Sequence, residues 1–399
     1  MMDIKYKDKN IESICSQFVE ILDEVFINKN KPIQLHEPQF QNLEKQYLQD
    51  CIKSTFVSNI GEYVNNFEKL ISDYTGSRYV TAVVNGTVAL QVSLHLLGVQ
   101  PNDEVLIPSL SFVASANAVV HSGAIPHFLD IDRRTLGINT EKLEEYLKDI
   151  AIFKNDNLFN KMTGRRISVI LPMHAFGHAV KIEEILEISK KFKLKVLEDA
   201  AEALGSRYKK KHLGTFGEVG ILSFNGNKII TTGGGGAILT DNLKLSKLAN
   251  HLTTTAKKKH PWEFHHDQVA WNFRMPNLNA ALGCAQMKNL DNILKKKRNL
   301  AKKYQKYFKN HSEFKFFIEP ELCRSNYWLN LILLEKSEFK IRNAILSYAI
   351  KNGYNCRPAW KLLNKLPMYK NNPSMDLKIA NQVEKKIICI PSSPKLYNE

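Results

Sequence analysis

The 399-residue sequence has no run of about 18 apolar residues, the length a membrane-crossing helix needs. Its most apolar stretch, residues 80–99, is broken by Asn85, Gln91, Ser93 and His95. Cysteine is sparse. Cys15, Cys51, Cys284, Cys323, Cys356 and Cys389 form no CxxC pair, which argues against a zinc site and against a disulfide scaffold. A reduced, cytoplasmic setting is expected. Residues 1–15 are charged and lack an apolar core segment, so no secretory signal is expected. There is no Gly/Ser or Pro linker and no internal repeat. Acid is in deficit: 40 Asp and Glu stand against 56 Lys and Arg, a net charge of +16. Two readings of that charge stay open, an anionic partner or a solvated lysine-rich surface. The lysines favour the second, because they are spread and their runs at 209–211, 257–259 and 295–297 are short.

What is present is an ordinary globular balance, 44% hydrophobic and 24% charged, which excludes a disordered chain. Residues 1–50 read as helical pieces around an extended segment at 32–40. Residues 63–74 carry apolar residues at helical spacing (Val64, Phe67, Leu70, Ile71, Tyr74). Short apolar strands are then expected at 79–84, 104–107, 126–129, 167–172, 195–197, 219–224 and 237–240. Helices are expected at 87–97 and 112–122. Strands alternating with helices argue for a mainly parallel sheet covered on both faces. A lysine-rich helix over 285–308 leads to a smaller α+β region with a strand at 328–334. The expected organisation is a large domain at 51–260 and a small domain at 261–399, joined by the N-terminal segment 1–50.

Three sites along this pattern carry chemistry. Asn85-Gly86-Thr87 follows a strand and opens a helix, which places backbone N–H groups and a hydroxyl where an anion can bind. Glu198-Asp199 ends a buried strand at its carboxyl end, where ligands bind in open α/β sheets. Ser223-Phe224-Asn225-Gly226-Asn227-Lys228 puts one lysine after a strand, ahead of Gly233–Gly236. A desolvated lysine can present a free amine to an aldehyde, and four glycines would let backbone pass close to a bulky ligand. Each site alone is equally a helix cap, a pair of capping acids or a flexible hairpin. Together they are what pyridoxal phosphate requires: a phosphate cup, a carboxylate for the ring nitrogen and a lysine for the aldehyde.

From about Leu35 to Pro391 the chain resembles the DegT/DnrJ/EryC1/StrS sugar aminotransferases. The matching segments include Asn85-Gly86-Thr87-Val88-Ala89-Leu90, Ser111-Phe112, Glu198-Asp199-Ala200-Ala201, Ser223 to Lys228 and Trp271-Asn272-Phe273-Arg274-Met275. The resemblance implies fold type I of the pyridoxal-phosphate enzymes, with a large mixed-sheet α/β/α domain and a smaller α+β domain. It implies that Lys228 bonds the cofactor and moves the proton, and that Asp199 holds the ring N–H. Asn85, Gly86, Thr87 and Ser223 form the phosphate site, while Phe112 and Ala201 cover the two ring faces. Asn272 reaches the phosphate of a neighbouring subunit, so the active unit is a homodimer. His174 and Arg357 are implied as substrate contacts. A core Phe112, a turn at Asn272, a structural His174 and a surface ion pair for Arg357 are the plainer alternatives.

Two positions depart from the common family pattern. Glu202 stands where many members carry Gln or His; an ionised Glu cannot donate to the cofactor's phenolic oxygen, so it must be protonated or turned away. Gly234 stands where many have Glu, which should open the site near the substrate. With Leu35-His36-Glu37-Pro38 and the segment 357–369, these departures resemble the legionaminic-acid branch. Members of that branch move an amino group from glutamate to C4 of a UDP-linked 4-keto-6-deoxy-N-acetylglucosamine, for surface glycans such as lipopolysaccharide or capsule. Perosamine synthases, acting on a GDP sugar, are the alternative, as is a keto sugar acid as acceptor. The dehydratases of the family carry histidine in place of Lys228, which argues against them here. A nucleic-acid-binding role has only the net charge behind it.

Overall fold

The computed structural model describes residues 9–27 and 29–397; residues 1–8 of the charged opening segment lie outside them. A nine-stranded mixed sheet organises the larger part. Its strands are β1 (Tyr79–Val83), β2 (Glu104–Pro108), β3 (Ile125–Leu129), β4 (Ala151–Lys154), β5 (Asn157–Asn160), β6 (Arg166–Ile170) and β7 (Lys195–Asp199), then β10 (Val219–Ser223) and β11 (Gly236–Thr240). Between β7 and β10 come the short β8 (Arg207–Tyr208) and β9 (Lys211–His212), which pair outside this sheet. The main order is β1-β11-β10-β7-β6-β2-β3. The five strands from β10 to β3 are parallel; β11 is antiparallel to both of its neighbours, so β1 beyond it runs in the same direction as those five. Every residue of β2, β10 and β11 is buried, as continuous apolar strands between two helical layers should be. The β4–β5 hairpin, which the sequence reading did not anticipate, hangs from β6.

A second, antiparallel sheet comprises β12 (Phe314–Phe316), β14 (Asn330–Leu334), β15 (Arg357–Pro358) and β16 (Ile387–Ile390), in the order β12-β14-β16-β15. Between β12 and β14, β13 (Cys323–Arg324) pairs with β8 and so ties this part to the larger one. The N-terminal helix Lys9–Val25 buries Phe18, Leu22 and Val25 in one apolar cluster with Tyr304, Phe314, Ile332 and Ile345. Distant ends of the chain therefore share a core.

The lysine-rich helix is two helices, Asn277–Lys288 and Leu290–Phe308, meeting at Asn289 with φ −104° and ψ 2°. That backbone is outside the helical region and lets the axis change direction. The second helix buries Ile293, Lys297, Leu300, Tyr304 and Phe308, one stripe at helical spacing. Lys297, expected as a surface lysine, is fully buried on it. No helix among the described residues is long and apolar enough to cross a membrane.

Candidate active site

The register of three strands builds the anion cup. Val83 of β1 pairs with Gly236 of β11, and Gly236 pairs with Ser223 of β10. The Asn85-Gly86 turn thus passes directly over the end of β11. Asn85 caps the helix Gly86–Leu96, its Oδ1 accepting from Val88 N at 3.0 Å, as a capping Asn should. A Cβ on Gly86 would lie 3.0 Å from that of Ser223, and one on Gly236 would lie 2.6 Å from the Asn85 carbonyl. The glycine run was expected to admit a ligand; at Gly236 it admits the chain's own backbone. Asn279 pins the same loop, donating through Nδ2 to Thr232 O at 2.7 Å and Gly234 O at 3.1 Å. A Cβ on Gly234 would meet only Val84 O, at 3.6 Å, so its strand-side space is open.

Asp199 closes β7 at the same end of the sheet. Its Oδ2 accepts from Ser115 Oγ at 2.7 Å and its Oδ1 from Ala201 N at 3.1 Å. Burial raises its pKa above the ordinary carboxylate value, and Ser115, the Ala201 amide and the Lys228 charge only partly offset it. Ser115, which sequence reasoning missed, lies on the helix Val113–His121 that Phe112 caps.

Lys228 Nζ donates to Glu202 Oε1 at 3.1 Å and sits 4.1 Å from the centroid of the Trp328 ring. Trp328 Nε1 donates in turn to Asn227 O at 2.7 Å, fixing the ring beside the lysine. Nothing local in the sequence marked Trp328, because it comes from the second sheet's region. Glu202 is not turned away: it faces Lys228, and its Oε2 accepts from Phe176 N at 2.7 Å. Burial pushes its pKa up to about 7, with the Lys228 charge pulling the other way. A carboxyl shifted in this direction keeps its proton more readily than an exposed one, and in the protonated form it can donate as well as accept.

The remaining expected residues fall in three places. Phe112 is 47% exposed, not a core side chain, and meets Trp360 edge-on at 6.3 Å. Ala201 is half-buried and Thr87 likewise. Arg357 is exposed on β15, in the wall of a cavity of about 480 Å³ shared with Trp328, Asn227, Phe176 and Trp360. Asn272 is exposed and lines a separate cavity of about 790 Å³ with Ile60, Lys257 and Arg274.

His174, expected as a substrate contact, is not among the side chains that line the cleft of Trp328 and Arg357. It is fully buried, with Nε2 at 2.9 Å from Glu198 Oε2 and Nδ1 accepting from Val180 N at 3.3 Å. Both ring nitrogens are used inside the protein, leaving none for a ligand. Glu198 also accepts from the amides of Gly214, Phe216 and Gly217 at 2.9, 2.5 and 2.8 Å. Burial alone would raise its pKa, but His174 and these amides outweigh it and hold the carboxyl below its ordinary value. The His174–Glu198 pair is a buttress behind Asp199, whose backbone carbonyl accepts from His174 N.

The DegT/DnrJ/EryC1/StrS aminotransferase family profile matches residues 38–399. The chain belongs to that family. It is 34% identical to the GDP-perosamine synthase of Escherichia coli O157:H7, covering 92% of this chain and 95% of the relative. It is 32% identical to the GDP-perosamine synthase of Vibrio cholerae, with the same coverages. The solved PLP form of a Streptococcus pneumoniae protein described as a sugar aminotransferase superposes with a TM-score of 0.82, at 23% identity, over 93% of this chain and 95% of that one. This sugar aminotransferase therefore has the fold of the type I pyridoxal-phosphate enzymes, and the family's aminotransferases use that cofactor. The perosamine relatives support the alternative acceptor over the legionaminic-acid branch that the sequence reading put first.

Proposed function

We propose that the protein is a pyridoxal-phosphate-dependent aminotransferase that moves an amino group from glutamate to C4 of GDP-4-keto-6-deoxymannose, as a homodimer. The observation that carries the chemistry is the convergence of Lys228, Glu202 and Asp199 beside the Asn85–Ser223 cup at one end of the sheet. The residues fit the cofactor in their donor chemistry. A helix N-terminus with Thr87 and Ser223 suits a phosphate, a buried carboxylate suits a protonated ring nitrogen, and a lysine amine suits an aldehyde. When bound, pyridoxal phosphate supplies the carbonyl that takes up the amino group and a ring that draws electrons from the bond being broken. In each half-reaction Lys228 Nζ would move the proton between the reacting carbon of the substrate and the carbonyl carbon of the cofactor. Glu202 stabilises the charged amine and, protonated, offers a hydrogen bond. Ser115 and the Ala201 amide keep Asp199 aimed. Phe112 and Ala201 cover the ring, and Arg357 receives a carboxylate or phosphate oxygen.

The dimer is supported by Asn272 and by the apolar side chains Ile60 and Trp262, which are 70% and 77% exposed near its cavity. The acceptor rests on the perosamine relatives, whose lengths match this chain nearly end to end. The purified protein, reconstituted with pyridoxal phosphate, should show a visible cofactor band that shifts to the pyridoxamine form on adding glutamate. It should then aminate GDP-4-keto-6-deoxymannose in preference to UDP-4-keto-6-deoxy-N-acetylglucosamine. A protein that binds no cofactor, or prefers the UDP sugar, would contradict the corresponding part of the proposal.

A further inference from the structure

A lysine that moves a proton between two carbons changes charge twice. Its amine takes the proton and becomes an ammonium, then gives the same proton up and is an amine again. An ammonium in a nearly closed site needs partners, and the Lys228 side chain is only 12% exposed. Its hydrogen-bond partner among the described residues is Glu202 Oε1, at 3.1 Å. A second partner is of another kind, the face of the Trp328 indole with its centroid 4.1 Å from Nζ. Indole is the best aromatic partner for a cation, and the attraction grows where water is excluded. Trp328 is 4% exposed.

Three hydrogen bonds fix that ring. Trp328 Nε1 donates to Asn227 O at 2.7 Å, its backbone N donates to Asn326 Oδ1 at 2.8 Å, and its carbonyl accepts from Lys297 Nζ at 3.1 Å. The same Asn326 side chain donates through Nδ2 to Glu202 O at 2.8 Å and to Leu204 O at 2.9 Å. One buried amide therefore ties the ring and the carboxyl, which come from distant segments, into a single frame around Lys228. Gly177 makes room for it. Its φ is +90°, and a Cβ there would lie 1.9 Å from Asn326 Oδ1.

Resting on the proposed glutamate half-reaction, we propose that Trp328 is a positioning residue for Lys228. Its ring face and the Glu202 carboxyl hold the ammonium in place between taking up the proton and delivering it. The contact acts through the lysine, so it serves both half-reactions and favours no particular acceptor.

Trp328→Leu removes the ring face and keeps an apolar side chain. Trp328→Phe keeps a smaller face and loses the N–H for Asn227. The contact is read first, by NMR on cofactor-free full-length protein carrying lysine labelled at its ε carbon. The Lys228 signal, identified by its loss in Lys228→Arg, should be displaced upfield by the indole ring current in wild type. In Trp328→Leu it should return to the ordinary lysine position. The cofactor-loaded proteins are then mixed with glutamate, and the absorbance shift is timed with ordinary and α-deuterated glutamate. At saturating glutamate Trp328→Leu should be about tenfold slower, the rate equivalent of one desolvated cation–π contact. Its deuterium isotope effect should be no smaller than that of wild type, and its half-saturating glutamate concentration should be near wild type. Trp328→Phe should recover part of the rate.

An undisplaced Lys228 signal in wild type, or a wild-type rate in Trp328→Leu, would overturn the assignment. So would a defect confined to half-saturation or to melting temperature. Trp328→Phe no faster than Trp328→Leu would give the role to the Nε1–Asn227 bond and overturn it too. A cofactor-loaded wild type that shows no shift with glutamate would instead remove the half-reaction on which the assignment rests, whatever the NMR signal reports.

Discussion

At the scale of single residues, Glu202 is the most informative titrating group. Its ordinary pKa of 4.5 is raised to about 7 in the folded protein, because burial penalises the carboxylate more than Lys228 rewards it. An unfolded Glu202 releases its proton more readily than a folded one. The folded state is therefore favoured below about pH 4.5, and that advantage is lost as pH rises to about 7. A shift of this size corresponds to about 3 kcal/mol at most. Glu202→Gln cannot titrate. Its unfolding free energy should gain on the wild type by up to about 3 kcal/mol between pH 4.5 and 7, then run parallel above. Urea unfolding across that range checks it, and parallel curves throughout would mean that Glu202 ionises normally. The type of residue at 202 was legible in the sequence; whether it faced Lys228 was not. His174 shows the same limit, since its spacing after a strand cannot tell a cleft from a buried buttress.

At the scale of elements, the cup depends on three strands ending in register. Gly236 carries that arrangement. A methyl group there would press on the Asn85 carbonyl, which is backbone and cannot swing aside. Gly236→Ala should therefore lose about 1–3 kcal/mol of stability, the cost of overpacking, and should weaken cofactor binding in a spectroscopic titration. Gly226→Ala is the internal control. A Cβ at Gly226 meets nothing within 4 Å, so its stability should stay within about 0.5 kcal/mol of wild type. The central strands and the helices at 63–74, 87–97 and 112–122 were visible beforehand as short apolar runs and 3.6-residue spacing, with ends off by one or two residues. The β4–β5 hairpin was not, because Phe153 and Ile152 are exposed and the strand lacks a buried face to leave a pattern. The break at Asn289 was hidden for a related reason: apolar spacing runs through it on both sides, and one non-helical residue does not interrupt a stripe.

At the scale of the whole molecule, Lys228 donates to Glu202, while Asn272 lines a cavity to which neither of them contributes. In the proposed homodimer each active site takes Lys228 from one subunit and Asn272 from the other. Lys228→Ala and Asn272→Ala should each impair turnover when pure. Unfolded together and refolded, they should form hybrid dimers in which one site of the two is intact. A statistical mixture would then regain about a quarter of wild-type activity. No recovery on mixing, with dimers confirmed by sedimentation, would place Asn272 outside the partner's site.

The sequence by itself determined the alternation of strands and helices, the carboxyl-end position of Asp199 and the short motifs of the family. Each of these is written in residues close together along the chain, where backbone sterics, apolar period and side-chain chemistry act locally. Only the tertiary structure decided that Lys297 is buried, that Trp328 lies over Lys228, that Ser115 holds Asp199 and that His36 stands in the cleft wall. These contacts join segments tens to hundreds of residues apart. A buried polar group is stable only where partners from elsewhere in the chain satisfy it, and no local pattern records where those partners will be.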